Sequence, residues 1–186
     1  QAQTGTGKTS AFGIPLVEMS DPTSREVQGL VLVPTRELAM QVAAELTSLG
    51  RHRGVRIAAI FGGQQMRHQL DALDAGVHVV VATPGRLMDH MSRRTLDLGN
   101  IRAAVLDEAD QMLDIGFAED IARILRTTPN SRQTLLFSAT MPQQIRRLAS
   151  RYLQNPEWVR VGEDAAPVEG VEQFYYEVAA QDCKRA

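Results

Sequence analysis

Cysteine is nearly absent: Cys183 is the only one in 186 residues. That excludes an internal disulfide framework and a cysteine-built zinc site, and it fits a reducing cytoplasm. Neither sign of charge is in excess. Twenty Lys+Arg face 22 Asp+Glu for a formal charge of -2, so no global basic field points to nucleic acid or to an acidic membrane, and any such contact must be local. No apolar run approaches the roughly 18 residues that cross a bilayer, and no charged, then apolar, then small-residue signal opens the chain. A soluble, intracellular protein without a membrane partner is expected. The four histidines, His52, His68, His78 and His90, show no metal-ligand spacing and read as surface or core residues. What is present suffices for one domain: 44% of residues are hydrophobic, enough for a sizeable core.

The chain lacks an initiator Met and begins on AQTGTGKT, Ala2 to Thr9. Gly5 and Gly7 carry no side chain, so the backbone can curl and aim successive N–H groups at an anion over the next helix's N-terminus. In a loop of this type Lys8 reaches the outer phosphates of a nucleotide and the Thr9 hydroxyl ligates magnesium. Ala2 stands where the usual first glycine would be, and a plain surface turn is the bland alternative. Such a loop normally follows a strand that delivers it. A fragment is therefore expected, with the first strand of its sheet missing.

Further along, short apolar runs alternate with helical periodicity. Helix Lys8 to about Met19 contains Pro15, expected to kink it or shorten its regular part. Strand Gly29 to Val33 leads to a helix capped by Thr35, carrying Leu38, Val42, Leu46 and Leu49 at helical spacing, and closed by Gly50. Strand Val55 to Phe61 leads to helix Gln65 to Ala75, ended by Gly76. Strand His78 to Ala82 runs into Thr83-Pro84, a cap followed by proline at the first helical position, and a helix to about Arg93. Strand Ala103 to Leu106, short helices through Met112 and from Ile121 to Leu125, strand Thr134 to Phe137 and helix Pro142 to Leu153 follow. A last strand is expected at Trp158 to Val161. Met66, Met88, Met91 and Met112 read as gap-fillers beneath helices. The pattern predicts a doubly wound α/β fold with a mainly parallel sheet and helices on both faces. Residues 162–170, rich in Gly, Asp, Ala, Pro and Glu, read as a linker, and 171–186 begins a new alternation.

Ligands of such sheets bind at the carboxyl ends of the strands, where this chain holds its polar clusters. In AVLDEAD, Ala104 to Asp110, Asp107 can hold a phosphate-bound magnesium directly or through water. Glu108 can polarise a water for in-line attack on a terminal phosphate. Acidic residues complementing a helix dipole are the bland alternative. PTREL (Pro34 to Leu38), Gly62-Gly63 and TPGR (Thr83 to Arg86) place small or capping residues at helix starts, two with an arginine. Together they can track a nucleic-acid backbone without reading bases. Taken singly, each is also ordinary capping chemistry. Arg146, Arg147 and Arg151 share a helix face that reads first as a solvated face, with nucleic-acid contact as the alternative.

In that order and at these separations, AQTGTGKT, PTREL, GG, TPGR, DEAD and SAT closely resemble the first catalytic domain of DEAD-box ATP-dependent RNA helicases, over nearly the whole chain. The resemblance implies a RecA-like P-loop NTPase domain over 1–161, an interdomain linker over 162–170, and the truncated start of the second helicase domain over 171–186. It implies that Ala2, Gln3, Thr4, Gly5, Thr6, Gly7, Lys8 and Thr9 bind the phosphates of ATP. Thr9 and Asp107 would hold magnesium, and Lys8, Asp107 and Glu108 would serve hydrolysis. Pro34, Thr35, Arg36, Gly62, Gly63, Thr83, Pro84, Gly85 and Arg86 would lie along the RNA backbone. Asp110 with Ser138, Ala139 and Thr140 would couple hydrolysis to strand separation. Ala2 agrees with the family form of the loop.

The family's adenine-reading segment and the arginine finger of the second domain lie outside these residues. The resemblance thus implies a weakly active fragment whose second helicase domain completes the site. A related DNA helicase or translocase, and an ATP-gated RNA clamp with little unwinding, remain open. A GTP switch is disfavoured because no Asn-Lys-x-Asp motif appears. RNA target, pathway and protein partners are not encoded here.

Overall fold

A computed structural model of the chain describes residues 7–160. Ala2, Gln3, Thr4, Gly5, Thr6, Val161, the 162–170 linker and the 171–186 segment lie outside the described residues.

Among the described residues five strands, β1 (Gly29–Leu32), β2 (Ile57–Ile60), β3 (Val79–Ala82), β4 (Ala103–Leu106) and β5 (Gln133–Leu136), form one sheet. Every pairing is parallel, in the order β2-β3-β1-β4-β5. Seven described α-helices connect and flank them: α1 (Lys8–Met19), α2 (Arg36–Gly50), α3 (Met66–Asp74), α4 (Pro84–Ser92), α5 (Ala109–Ile115), α6 (Ala118–Thr127) and α7 (Gln143–Tyr152). The expected doubly wound α/β architecture is what forms.

The central strands are apolar throughout because both sheet faces are covered. On β1, Leu30 and Leu32 join Val80, Ala82, Ala104 and Leu106 in a core with Leu87 of α4, Met112 of α5, Ile121 and Ile124 of α6 and Ile145 of α7. Val31 and Val33 point the other way, with Val79, Val81 and Val105, into a core with Phe12 and Leu16 of α1 and Val42 and Leu46 of α2. Alternate side chains thus feed two apolar layers, each excluding water at about 25 cal/mol per Å². All three central strands are fully buried, whereas β5, on one border of the sheet, is half-exposed.

Three local expectations are corrected. Helix α1 runs through Pro15 to Met19 without being cut short. Pro15 and Ala11 are both exposed, so water can satisfy the Ala11 carbonyl that proline leaves without a donor, while buried Phe12, Leu16 and Val17 hold the helix to the sheet. Helix α2 ends on Gly50 as expected, but Gly50 is right-handed (φ -83°, ψ -13°) and does not turn the chain. A single 3-10 turn follows (Arg51–Arg53), and the left-handed residue is Gly54, φ 70°. Gly50 is instead a contact site, where a Cβ would stand 3.1 Å from that of Val55. Trp158–Arg160, the described part of the expected Trp158 to Val161 strand, belong to no strand of the sheet, and Trp158 and Val159 are 62% and 68% exposed.

Helices α1 and α2 cross at Gly13, where a Cβ would come within 2.6 Å of Leu46 Cδ2 and 3.1 Å of Leu49 Cδ1. That close crossing sets the height of α1, and with it Lys8 and Thr9 at its N-terminus. His78 proves to be a core residue. Its Nδ1 accepts from the Arg56 backbone N–H (2.8 Å), which leaves Nε2 to donate to the Ser24 carbonyl (2.9 Å).

Candidate functional site

Because all strands are parallel, the turns that leave their carboxyl ends share one edge of the sheet. The strand order divides them. Turns after β4 and β5 fall on one side, beside the start of α1, and those after β1, β2 and β3 on the other.

On the first side, Gly7 takes the left-handed conformation (φ 81°, ψ 17°) that glycine favours, and α1 starts at the next residue. Lys8 Nζ lies 4.0 Å from Asp107 Oδ1, with both side chains under a tenth exposed. Burial pushes the Asp107 carboxyl above its ordinary value; the Lys8 charge and the N–H of Glu108, 3.0 Å from Oδ1, pull the other way without cancelling it. Such a buried, undercompensated carboxylate favours a further cation. Among the described residues no three His, Cys, Asp or Glu side chains gather into a metal cage. One carboxylate and one hydroxyl, from Asp107 and Thr9, nevertheless fit the sparse protein ligation of magnesium, which completes its shell with phosphate and water.

Glu108 departs from ordinary backbone geometry. Its φ of 50° and ψ of 49° are left-handed, a conformation that costs a non-glycine residue roughly 1–2 kcal/mol. The Asp107 carboxylate compensates in part by accepting the Glu108 N–H. The turn is further tied down by Asp107 N donating to the Leu32 carbonyl (2.9 Å) and Ala109 N to that of Phe137 (3.0 Å).

The SAT turn after β5 closes onto the DEAD turn. Asp110 Oδ2 accepts both the backbone N–H and the hydroxyl of Thr140, each at 2.8 Å. Buried Ser138 donates its hydroxyl to the Thr140 carbonyl (2.7 Å). Partial burial tends to raise the Asp110 carboxyl, but the bonds from Thr140, with help from Ser138 and the Gln111 N–H, outweigh it and hold the group below its ordinary value. Phe12 of α1 packs on Phe137, ring centroids 5.3 Å apart, joining the helix that carries Lys8 to the turn that carries Ser138.

On the second side, Pro34 is buried and Arg36 is exposed, the latter 3.4 Å from Glu37. Thr35 caps α2 as expected, its hydroxyl oxygen accepting the Leu38 N–H at 3.2 Å. Gly63, at φ 82°, lies under the Arg36 guanidinium, so a Cβ there would stand 3.3 Å from Nη1. Arg86 Nη1 donates to the Gln64 carbonyl (3.1 Å), and its Nε lies 3.8 Å from Asp89. These contacts join the Pro34–Arg36, Gly62-Gly63 and Thr83–Arg86 turns into one surface. Thr83 departs from expectation: it occupies the N-cap position of α4, but its side chain caps nothing. Proline already removes the first donor of that helix, so the hydroxyl stays available. Gly62, Gly63 and Gly85 are exposed, Pro84 is buried beneath them, and Arg146, Arg147 and Arg151 of α7 are exposed.

Gln64, exposed, and Gln69, buried beneath it, support this surface without any motif in the sequence to mark them. Gln69 is 2% exposed and donates its amide to the Phe61 carbonyl (2.9 Å) and to Gln64 Oε1 (3.1 Å). Its only signal is a polar residue on the inner face of an amphipathic helix.

The family model described as DEAD/DEAH box helicase matches residues 1–148. A protein named DEAD-box ATP-dependent RNA helicase CshA, from Bacillus cereus, is 52% identical over 96% of this chain, which covers 34% of that relative. Its namesake from Geobacillus kaustophilus is 53% identical over the same share, covering 38% of that protein. The chain therefore spans little more than a third of the length of these relatives. Among solved structures, a DEAD box protein from Methanococcus jannaschii is similar at a TM-score of 0.79 and 45% identity, over 83% of this chain and 42% of that one. A second, described as a hypothetical ATP-dependent RNA helicase from Sulfolobus tokodaii, gives 0.76 and 39%, over 84% and 45%.

Proposed function

The chain belongs to the DEAD/DEAH box helicase family, and from that premise we propose that it is the ATP-binding half of an RNA helicase core, coupling ATP hydrolysis to local separation of short RNA duplexes. The observation that carries this reading is the division of the sheet edge: a buried Lys8–Asp107 pair with Glu108 on one side, and on the other three interlocked turns bearing Arg36, Gly63 and Arg86.

In this reading residues 2–9 cradle the phosphates of ATP, and Lys8 places its charge on the outer ones. Magnesium, held through Thr9 and Asp107, would neutralise charge that develops on the phosphates. Glu108 accepts a proton from the attacking water while the water oxygen bonds to the terminal phosphorus and the bond to the bridging oxygen breaks, releasing ADP and phosphate. Asp110, Ser138 and Thr140 carry the change at the nucleotide across the DEAD and SAT turns. Thr35, Arg36, Gly63, Thr83, Gly85 and Arg86, with Pro34, Gly62 and Pro84, follow one RNA backbone by phosphate and sugar contacts, which carry no sequence information. A second helicase domain would complete both sites, so these residues alone turn ATP over poorly. The cytoplasm is the compartment that suits an RNA substrate, and no described helix is long and apolar enough to cross a membrane.

The experiment is ATP turnover by the full-length protein with no nucleic acid, with single-stranded RNA, and with single-stranded DNA of the same sequence. Stimulation by RNA alone is expected. Equal stimulation by DNA would indicate a DNA translocase. RNA retained through many minutes with ATP bound, without repeated turnover, would indicate a clamp.

A further inference from the structure

We propose that Gln69 and His90 are positioning residues that fix the Gly62-Gly63 turn relative to the Thr83–Arg86 turn, and thereby preorganise the surface that receives the RNA backbone; this role rests on the function proposed above.

Both side chains are buried, at 2% and 0% exposure. Two glycines in succession give the turn no side chain by which the core could hold it, and their backbone is the most permissive available. Gln69 supplies the missing hold from α3. Its amide donates on one side to the carbonyl of Phe61, the residue before Gly62, and on the other to Oε1 of Gln64, the residue after Gly63. The turn is thus strapped at both ends by one side chain.

The strap has a defined polarity. A backbone carbonyl can only accept, so the Gln69 nitrogen faces Phe61 and its oxygen must face away. There it meets His90 Nε2 at 3.1 Å, and only an N–H on that nitrogen makes the contact a hydrogen bond. With Nε2 donating, Nδ1 of the neutral ring can only accept, so the Thr95 hydroxyl, 2.8 Å from Nδ1 and 3.1 Å from the His90 carbonyl, turns its one proton to Nδ1. Burial, and next the Arg86 guanidinium, push the imidazole below its ordinary value of 6.5 and keep it neutral. His90 belongs to α4, whose first turn carries Gly85 and Arg86, and Arg86 itself returns to the Gln64 carbonyl. Two independent threads therefore tie the turns together, one buried and one at the surface.

A buried polar pair adds little net stability over apolar residues of the same size. Its distinct contribution is geometric: the ordering of Gly62 and Gly63 precedes RNA binding and does not oppose it. The test uses RNA-stimulated ATP hydrolysis by the full-length protein, with an oligouridylate as the RNA, alongside thermal unfolding. Gln69→Met keeps the volume and removes every bond of the strap, and His90→Leu removes the donor to Gln69. Each is expected to raise the RNA concentration for half-maximal stimulation about tenfold, while kcat at saturating RNA and KM for ATP stay within about twofold. His90→Gln, which can still donate to Gln69, is expected to restore the wild-type RNA response. An unchanged RNA requirement in folded Gln69→Met overturns the role, as does a joint loss of kcat and ATP affinity that follows the melting temperature. Should Gln69→Met fail to fold, the contrast between His90→Leu and His90→Gln decides in the same way, and equal responses overturn the role. A wild-type protein indifferent to RNA would overturn the functional reading, and this role with it. An RNA-responsive wild type with unaffected variants would overturn this role alone.

Discussion

Thr140 gives both its backbone N–H and its hydroxyl to a single oxygen of Asp110, thirty residues earlier in the chain, at 2.8 Å each. The turns after two neighbouring strands, β4 and β5, are locked by this one carboxylate, and the lock adjoins Glu108. In the proposed mechanism it transmits the state of the nucleotide rather than taking part in bond breaking. Thr140→Val removes the hydroxyl bond and keeps the N–H bond. We expect ATP turnover to stay within about threefold of wild type while duplex unwinding falls at least about tenfold, because a lost neutral-to-charged bond amounts to about 1.5–3 kcal/mol. Parallel loss of both activities would show that the contact supports folding alone.

Asp110 also sets a pH response. Its carboxyl lies below the ordinary 3.8 when folded, since the Thr140 bonds outweigh burial, so the unfolded chain binds the proton first as pH falls. The group's contribution to stability is complete above the unfolded value and is lost as pH drops through the folded one. Thermal unfolding between pH 6 and pH 3 should show wild type losing more stability than Asp110→Asn, with the two curves converging at the acid end. A constant gap across that range would show that the carboxylate is not held in its charged form.

Much of this arrangement is readable from residues in order. Continuous apolar runs such as Gly29–Leu32 and Ala103–Leu106 specify strands covered on both faces, and parallel strands send every following turn to the same edge. Sequence patterning therefore reaches the composition of the site. It does not reach long-range geometry. Nothing local foretells that Gly50 is needed for contact with Val55 while Gly54 makes the turn, or that Gln69 bonds to Phe61 and His90. Proline at position 15 signals a shortened helix by propensity, yet α1 continues to Met19 with Phe12, Leu16 and Val17 buried against the sheet.

Glu108 holds a left-handed backbone at the start of α5. Glu108→Gln preserves size and removes the basic oxygen. Hydrolysis should fall by at least about 100-fold, with ATP affinity changed by less than about threefold, because the role proposed for the group is proton transfer and not binding. Nucleotide binding by fluorescence and single-turnover hydrolysis separate the two. Retained turnover would remove Glu108 from the role of base.

At Gly13 two effects oppose each other. Alanine gains about 1 kcal/mol of helix propensity, but its methyl would lie 2.6 Å from Leu46 Cδ2, and Leu46 is fully buried. Overpacking costs about 1–3 kcal/mol, so Gly13→Ala should be net destabilising by about 1 kcal/mol, and Gly13→Val by more. Because α1 carries Lys8 and Thr9 at its start, ATP affinity should weaken in step. Thermal unfolding and nucleotide titration check both, and a rise in melting temperature would mean that α1 shifts freely over α2.

Lys8 and Asp107 allow the sharpest test of what holds the nucleotide side together. Their charges lie 4.0 Å apart, both side chains are more than nine-tenths buried, and burial already pushes the Asp107 carboxyl up despite the nearby ammonium. Removing one partner leaves the other charge without compensation, a loss of about 3–5 kcal/mol in fully buried pairs. Removing both takes away the desolvation penalty along with the attraction. Lys8→Met and Asp107→Asn should therefore each lower stability in the absence of nucleotide, and the double variant should recover most of the loss. ATP binding should be weakened in all three, since the phosphate contact proposed for Lys8 and the metal contact proposed for Asp107 would not be restored by restoring balance. Additive stability changes in this double-mutant cycle would mean that the pair is not coupled across 4.0 Å, and that Lys8 is held in place by the loop alone.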